Sequence, residues 1–264
     1  MNGIKIGSLT LLGIGAYLIF LVLQLPITHV LARLEPLPEK IRIYGAQGTI
    51  IAGNAALVEK ENWRLENFTW KVRPWALLKG CLEFVITFQN IDETRGRARV
   101  GVTLFGQTYL ARPQVRLRLN TLEPLWRPMI INLGGWIDAK LDHVTWSVSG
   151  LDTKGQVILE NVVWESNPPL SLGDFLIALE TVTADNSPNR MVRGQLSDRG
   201  GPIGIQGQLQ LDSQGAWRLT GTLASRSDAT PKIRQMLSFL GQPDQDGRFP
   251  ISFNGRLPIL KQTK

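Results

Sequence analysis

The chain has 264 residues, of which 43% are apolar and 19% charged, with 26 glycines and 15 prolines. That is ample for a buried core, and so many turn formers predict many short strands in place of long helices. A single cysteine, Cys81, excludes an intramolecular disulfide, a CxxC redox pair and a cysteine zinc cluster, while the formal charge of +7 raises acidic proteins, membrane phosphates and nucleic acid as partner classes.

In chain order, the first feature is the run from Ile6 to Thr28, which contains no Asp, Glu, Lys or Arg. A helix needs roughly 20 apolar residues to cross a bilayer. A cleavable signal peptide has a shorter apolar region and a small-x-small site, and Gln24-Leu25-Pro26-Ile27-Thr28-His29 offers none. The run therefore reads as a retained anchor. Lys5 and the α-amino group precede it, and the next basic residues are Arg33 and Lys40, which places the N-terminus in the cytoplasm by the positive-inside rule. Residues 1–28 are then the cytoplasmic N-terminus and transmembrane anchor. Residues 29–39, punctuated by Pro36 and Pro38, form a juxtamembrane connector, and 40–264 form the β domain beyond the membrane.

The stretch Gly45 to Gly53 lacks the GK[ST] of a phosphate loop and reads as two strands and a tight turn. Period-2 alternation follows. Leu82, Phe84, Ile86 and Phe88 make Cys81 a strand residue with no redox task; Val100, Val102 and Leu104 alternate with small or polar residues; and Val115, Leu117 and Leu119 alternate with Arg116 and Arg118. No acidic residue occurs from Thr94 to Leu122, so Arg95, Arg97 and Arg99 share one strand face, Arg116 and Arg118 another, and the segment concentrates positive charge. These five arginines are the candidate partner-contact residues, the alternative being a solvated outer face. No nucleic-acid-binding motif accompanies them.

Further strands are expected over Gly134 to Val148, Gly155 to Trp164, Asp174 to Val182, Met191 to Leu196, Ile203 to Leu211, Trp217 to Ala224 and Phe249 to Leu257. Spaced about ten residues apart, they imply an antiparallel meander. One short helix interrupts it: Thr230 caps, Pro231 takes the first position, and Ile233, Met236, Leu237 and Leu240 form an apolar stripe before Gly241. A weak repeat also occurs. Leu65-Glu66-Asn67-Phe68-Thr69-Trp70 returns as Leu159-Glu160-Asn161-Val162-Val163-Trp164, and Leu141-Asp142-His143-Val144-Thr145-Trp146 echoes it. A Leu and a Trp five apart on a regular strand face opposite ways, so a bulge or two covered faces are expected, and with them a curved sheet.

Several of these signatures occur in the order found in the type II secretion system protein N family (general secretion pathway protein N), which the chain resembles over nearly its whole length. They are the anchor followed by Gln24-Leu25-Pro26, Gly48 to Gly53, and Leu65 to Trp70 with Pro74, Leu77, Leu78 and Gly80; then Gln195 to Ile203, Gly221 to Arg226, Leu237 to Asp244 and Gly247 to Pro250. The resemblance implies a single-pass inner-membrane subunit, its bulk periplasmic, that supports export of folded periplasmic proteins across the outer membrane and contacts other secretion subunits. It transfers no catalytic residues and no cofactor.

The residues themselves argue against an enzyme. His29 and His143 are the only histidines, no second ligand stands at helical spacing from either, and the acidic residues sit mostly beside turn formers. Two non-enzymatic classes remain. One is a structural or assembly component of the secretion machinery. The other is an amphiphile-binding or transport protein with an apolar β groove, similar in its β region to bridge-like lipid transport proteins of the AsmA type.

Overall fold

The computed structural model describes residues 24–34, 41–60, 63–122, 132–147, 150–183 and 190–256, together with residues 10, 13, 14 and 17. Most of the expected transmembrane run lies outside these, and among the described residues no helix is long and apolar enough to cross a membrane. The chain divides into two compact units, residues 1–92 and 93–264.

The first unit carries helix α1 (Ile27–Leu34) and strands β1 (Ile41–Tyr44), β2 (Gln47–Gly48), β3 (Ala52–Lys60) and β4 (Trp63–Val72), then the one-turn helix α2 (Pro74–Leu77) and β5 (Cys81–Gln89). Its strands are antiparallel in the order β1, β3, β4, β5, with β2 paired to β3. The glycine-rich stretch is thus the strand pair its sequence predicts. Gly53 is required there because a Cβ would lie 2.3 Å from the Trp70 ring. Trp70 is fixed further by its indole Nε1, which donates to the Thr49 carbonyl at 3.0 Å, and by its tilted contact with Phe68. The core is thin: among the described residues of this unit, Ala55 is the only buried apolar side chain.

In the second unit every strand pairs antiparallel with the next: β6 (Arg95–Thr103), β7 (Thr108–Arg118), β8 (Leu133–Ser147), β9 (Gly150–Trp164), β10 (Leu170–Thr183), β11 (Arg190–Asp198), β12 (Ile203–Leu211), β13 (Ala216–Ser225) and β14 (Phe249–Arg256). Helix α3 (Pro231–Ser238) precedes β14. The expected meander is present, although β9 starts at Gly150 and not at Gly155, because buried Leu151 and Thr153 continue its alternation.

Register sorts the two faces. Leu117, Ile137, Leu159 and Phe175 stand in one cross-strand row. Gln114, Lys140, Gln156, Ala178, Gln195, Gln208, Thr220 and Ser252 form a largely polar row across eight strands on the other face. The apolar row belongs to a core of Leu119, Ile137, Val162, Phe175 and Leu196, against which Leu117, Val157, Ile177, Ile205 and Leu219 pack.

A bulge reconciles the second copy of the repeat with this core. Asn67 and Asn161, the third residues of the two matching hexapeptides, both adopt left-handed φ, of 48° and 51°. Only short polar side chains and glycine enter that region cheaply. At Asn161 the strand gains a residue against β8, whose partners step from Trp136 opposite Glu160 to Gly134 opposite Val163. Leu159 and Trp164, which a regular strand would turn to opposite faces, consequently both reach apolar clusters.

Helix α3 covers one end of the apolar face. Thr230 Oγ1 accepts the Ile233 amide at 3.4 Å, with Pro231 in the first turn. Ile233 and Leu237 are fully buried against Leu170, Ile203 and Ala229, each contributing roughly 1.5–3 kcal/mol. Leu240 is the exception to the expected stripe: the helix ends at Ser238 and this side chain is exposed.

Candidate partner-contact surface

Strands β6 and β7 place the five arginines. Arg95 lies directly opposite Arg116, and Arg97 opposite Gln114, in the antiparallel register. Between Arg97 and Arg99 the register shifts, with Arg112 at φ 49° and Pro113 absorbing the extra residue on β7, so Arg99 faces Ala111. A proline is tolerated inside this strand because the bulge removes the ladder bond it cannot make. Arg95, Arg97 and Arg118 are exposed, while Arg99 and Arg116 are half-buried.

Strand pairing changes the electrostatics expected from sequence. The segment lacks acids of its own, yet β8 sets Asp138 opposite Arg116, and β9 brings Glu160. Arg116 Nη1 lies 3.1 Å from Glu160 Oε2 and 3.7 Å from Asp138 Oδ2, and Lys140 Nζ lies 3.3 Å from Asp138 Oδ1. The guanidinium carbons of Arg116 and Arg118 sit 5.1 and 5.3 Å from the Trp136 ring centroid, within cation–π range. Arg116 is therefore compensated and held in place. Arg95, Arg97, Arg99 and Arg118 make no ion pair among the described residues, so like charges gather where β6 meets β7.

Beside them the polar face opens a shallow hollow of about 370 Å³ lined by Arg112, Gln114, Lys140, Asp142 and Gln156. Two bulges lie beside it, the one at Arg112 on β7 and one between Leu141 and His143 on β8. Gly155 crosses from β9 at φ 151°, where a Cβ would lie 2.4 Å from the Lys140 carbonyl oxygen.

A second polar cluster went unread in the sequence because its members are remote along the chain. His143 Nε2 is 3.3 Å from Asp152 Oδ1, and Arg190 Nη1 is 2.7 Å from Asp152 Oδ2. Burial acts to raise the Asp152 carboxyl, but the His143 ring, the Thr181 hydroxyl and the Arg190 guanidinium outweigh it and hold the group below its ordinary value. Thr153, next along β9, spends its hydroxyl on the His143 carbonyl at 2.7 Å. The cluster clamps β8, β9 and β11 together. Among the described residues no three His, Cys, Asp or Glu side chains converge as a metal site.

The tryptophans differ in what surrounds them. Trp164 packs beneath α3, Trp70 and Trp217 lie against Gly53 and Gly255, Trp136 carries two guanidiniums, and Trp63 and Trp75 are exposed. Trp126 lies outside the described residues.

Comparison with known proteins gives a consistent result. Residues 39–252 match the family described as type II secretion system (T2SS), protein N. The chain is 26% identical over 250 residues to the type II secretion system protein N of Aeromonas hydrophila, covering 92% of this chain and 95% of that protein. The protein of the same name from Vibrio cholerae is 25% identical over 242 residues, covering 89% and 92%. That of Pectobacterium carotovorum is 24% identical over 247 residues, covering 92% and 94%. No solved structure matches.

Proposed function

Because the chain belongs to the type II secretion system protein N family, we propose that it is a non-enzymatic assembly subunit of such a system, held in the inner membrane by its N-terminal run with the β units in the periplasm. The observation that carries this reading is a family match over 39–252, which takes in both compact units and not a single motif. The anchor is supported by the uncharged run from Ile6 to Thr28. Deleting the gene in the bacterium that encodes it should trap folded secretion substrates in the periplasm, with recovery on complementation. Alkaline phosphatase fused at Gln262 should be active. Unimpaired secretion contradicts the role, and an inactive fusion contradicts the topology.

The contact with other subunits is assigned to the basic stripe, on the strength of Arg95, Arg97 and Arg118, which are exposed and without carboxylate partners among the described residues. Reversing all three to Glu should lower both crosslinked partner recovery and secretion, and added salt should weaken the parent contact in the same direction. A folded variant that crosslinks and secretes like the parent would make the stripe a solvated exterior.

The second reading, an amphiphile-binding β groove, is favoured by one observation. Val157, Leu159, Ile177, Ile205 and Leu219 on the apolar face remain only partly buried. Lipid that co-purifies with the chain in stoichiometric amount would support it.

A further inference from the structure

The connection between β4 and β5 exposes more apolar surface than a short turn needs. Trp75 is 74% exposed, Leu77 55% and Leu78 79%, and Leu82 at the start of β5 is 45% exposed. Arg73 and Lys79 flank the group. Nor is this a frayed segment. Arg73 donates its amide to the Glu83 carbonyl at 2.8 Å and its Nη1 to the Glu83 carboxylate at 2.5 Å, while the amides of Ala76, Lys79 and Gly80 close successive turns onto Arg73, Ala76 and Leu77. A held display of Trp and Leu marks a contact surface and not an accident of packing.

The place of this loop in the first unit identifies what it meets. Pro26, at the end of the uncharged N-terminal run, forms a β-bridge with Thr49. The Thr49 carbonyl takes the Trp70 indole, and the Ile51 carbonyl takes the Val72 amide at 2.6 Å, two residues before the loop begins. The loop and the exit of the run thus share one end of this unit's sheet, and Trp75 follows Trp70 by five positions, at most about 18 Å of chain. We propose that the Pro74–Gly80 loop is a second, interfacial contact of this unit with the bilayer. Trp75, Leu77 and Leu78 enter the boundary between headgroups and acyl chains, where tryptophan concentrates, and Lys79 lies among anionic headgroups. The proposal rests on the anchored reading above, since Pro26 marks the bilayer surface only if the run spans it. The contact orients the sheet end-on to the membrane.

The test uses the full chain with Cys81→Ser, purified and reconstituted into vesicles of phosphatidylethanolamine and phosphatidylglycerol. A single cysteine at Leu78 (L78C), and in a repeat at Trp75 (W75C), carries an environment-sensitive fluorophore. Arg64→Cys at the far end of β4, about 26 Å away along the strand, is the reference, and an unchanged strand signal in circular dichroism controls for folding. The Leu78 and Trp75 labels should be blue-shifted and lose most of their emission to lipids bearing a shallow quencher, with the Arg64 label unaffected. Labels quenched only by aqueous iodide, on a chain that resists carbonate extraction, overturn the proposal while the anchor stands. Labels shielded from both quenchers, and only in native membranes holding the other subunits, overturn it in favour of a protein partner. A chain stripped by carbonate whose Leu78 label had been lipid-quenched keeps the loop contact and refutes the anchor instead.

Discussion

At the residue scale, Arg116 and Arg118 look equivalent in the sequence, two positions apart with the same side chain, yet the sheet treats them differently. Arg116 is half-buried between Glu160, Asp138 and the Trp136 ring, whereas Arg118 is exposed and touches only the ring among the contacts described. Arg116→Glu removes an ion pair of up to about 1 kcal/mol and a cation–π contact of roughly 0.5–1 kcal/mol, and sets a third carboxylate beside two others. Its urea midpoint should fall by the equivalent of roughly 1–2 kcal/mol, while Arg118→Glu stays within about 0.5 kcal/mol of the parent. Equal midpoints would mean that the Arg116 pairs contribute nothing. The shared face of these arginines was legible from their spacing. Their compensation was not, because Asp138 and Glu160 arrive through the register of β8 and β9, which no local pattern specifies.

At the element scale, the legible features were those whose cause is local. Helix α3 announces itself through Thr230, Pro231 and its apolar stripe, and the structure returns the cap, the proline and the stripe up to Leu237, with Leu240 beyond the helix end. The bulge of β9 was legible only as a contradiction, a Leu and a Trp of wrong parity both needing cover. Its resolution lies in the backbone of Asn161, at φ 51°. Asn161→Ala should therefore cost about 1 kcal/mol in an unfolding titration, and Asn161→Gly much less, since glycine adopts that conformation freely. Equal losses for the two would point to the side chain and not to the backbone. Leu237→Ala is expected to cost more, about 2–5 kcal/mol, because it empties a fully buried site between α3 and the sheet.

At the scale of the molecule, the sequence reads as one continuous β domain from Lys40 onward, and alternation alone gives no reason to divide it. The chain nevertheless divides at Asp92, and apolar side chains are buried unevenly on its two sides. Among the described residues the second unit holds two clusters, one centred on Ile137 and Phe175 and the other on Ile233 and Leu237. Among its described residues the first unit holds Ala55 alone as a buried apolar side chain, and its buried Glu83 is balanced by Arg73. A short β segment with so little buried surface cannot offset the entropy of ordering its backbone, at about 1–2 kcal/mol per residue. A fragment of residues 93–264 should therefore fold alone, with a strand-dominated circular dichroism spectrum and a single cooperative urea transition, whereas residues 40–92 alone should remain unfolded in water. Folding of the short fragment would show that its partly buried side chains suffice. Failure of the long one would show that its two clusters do not form an independent core.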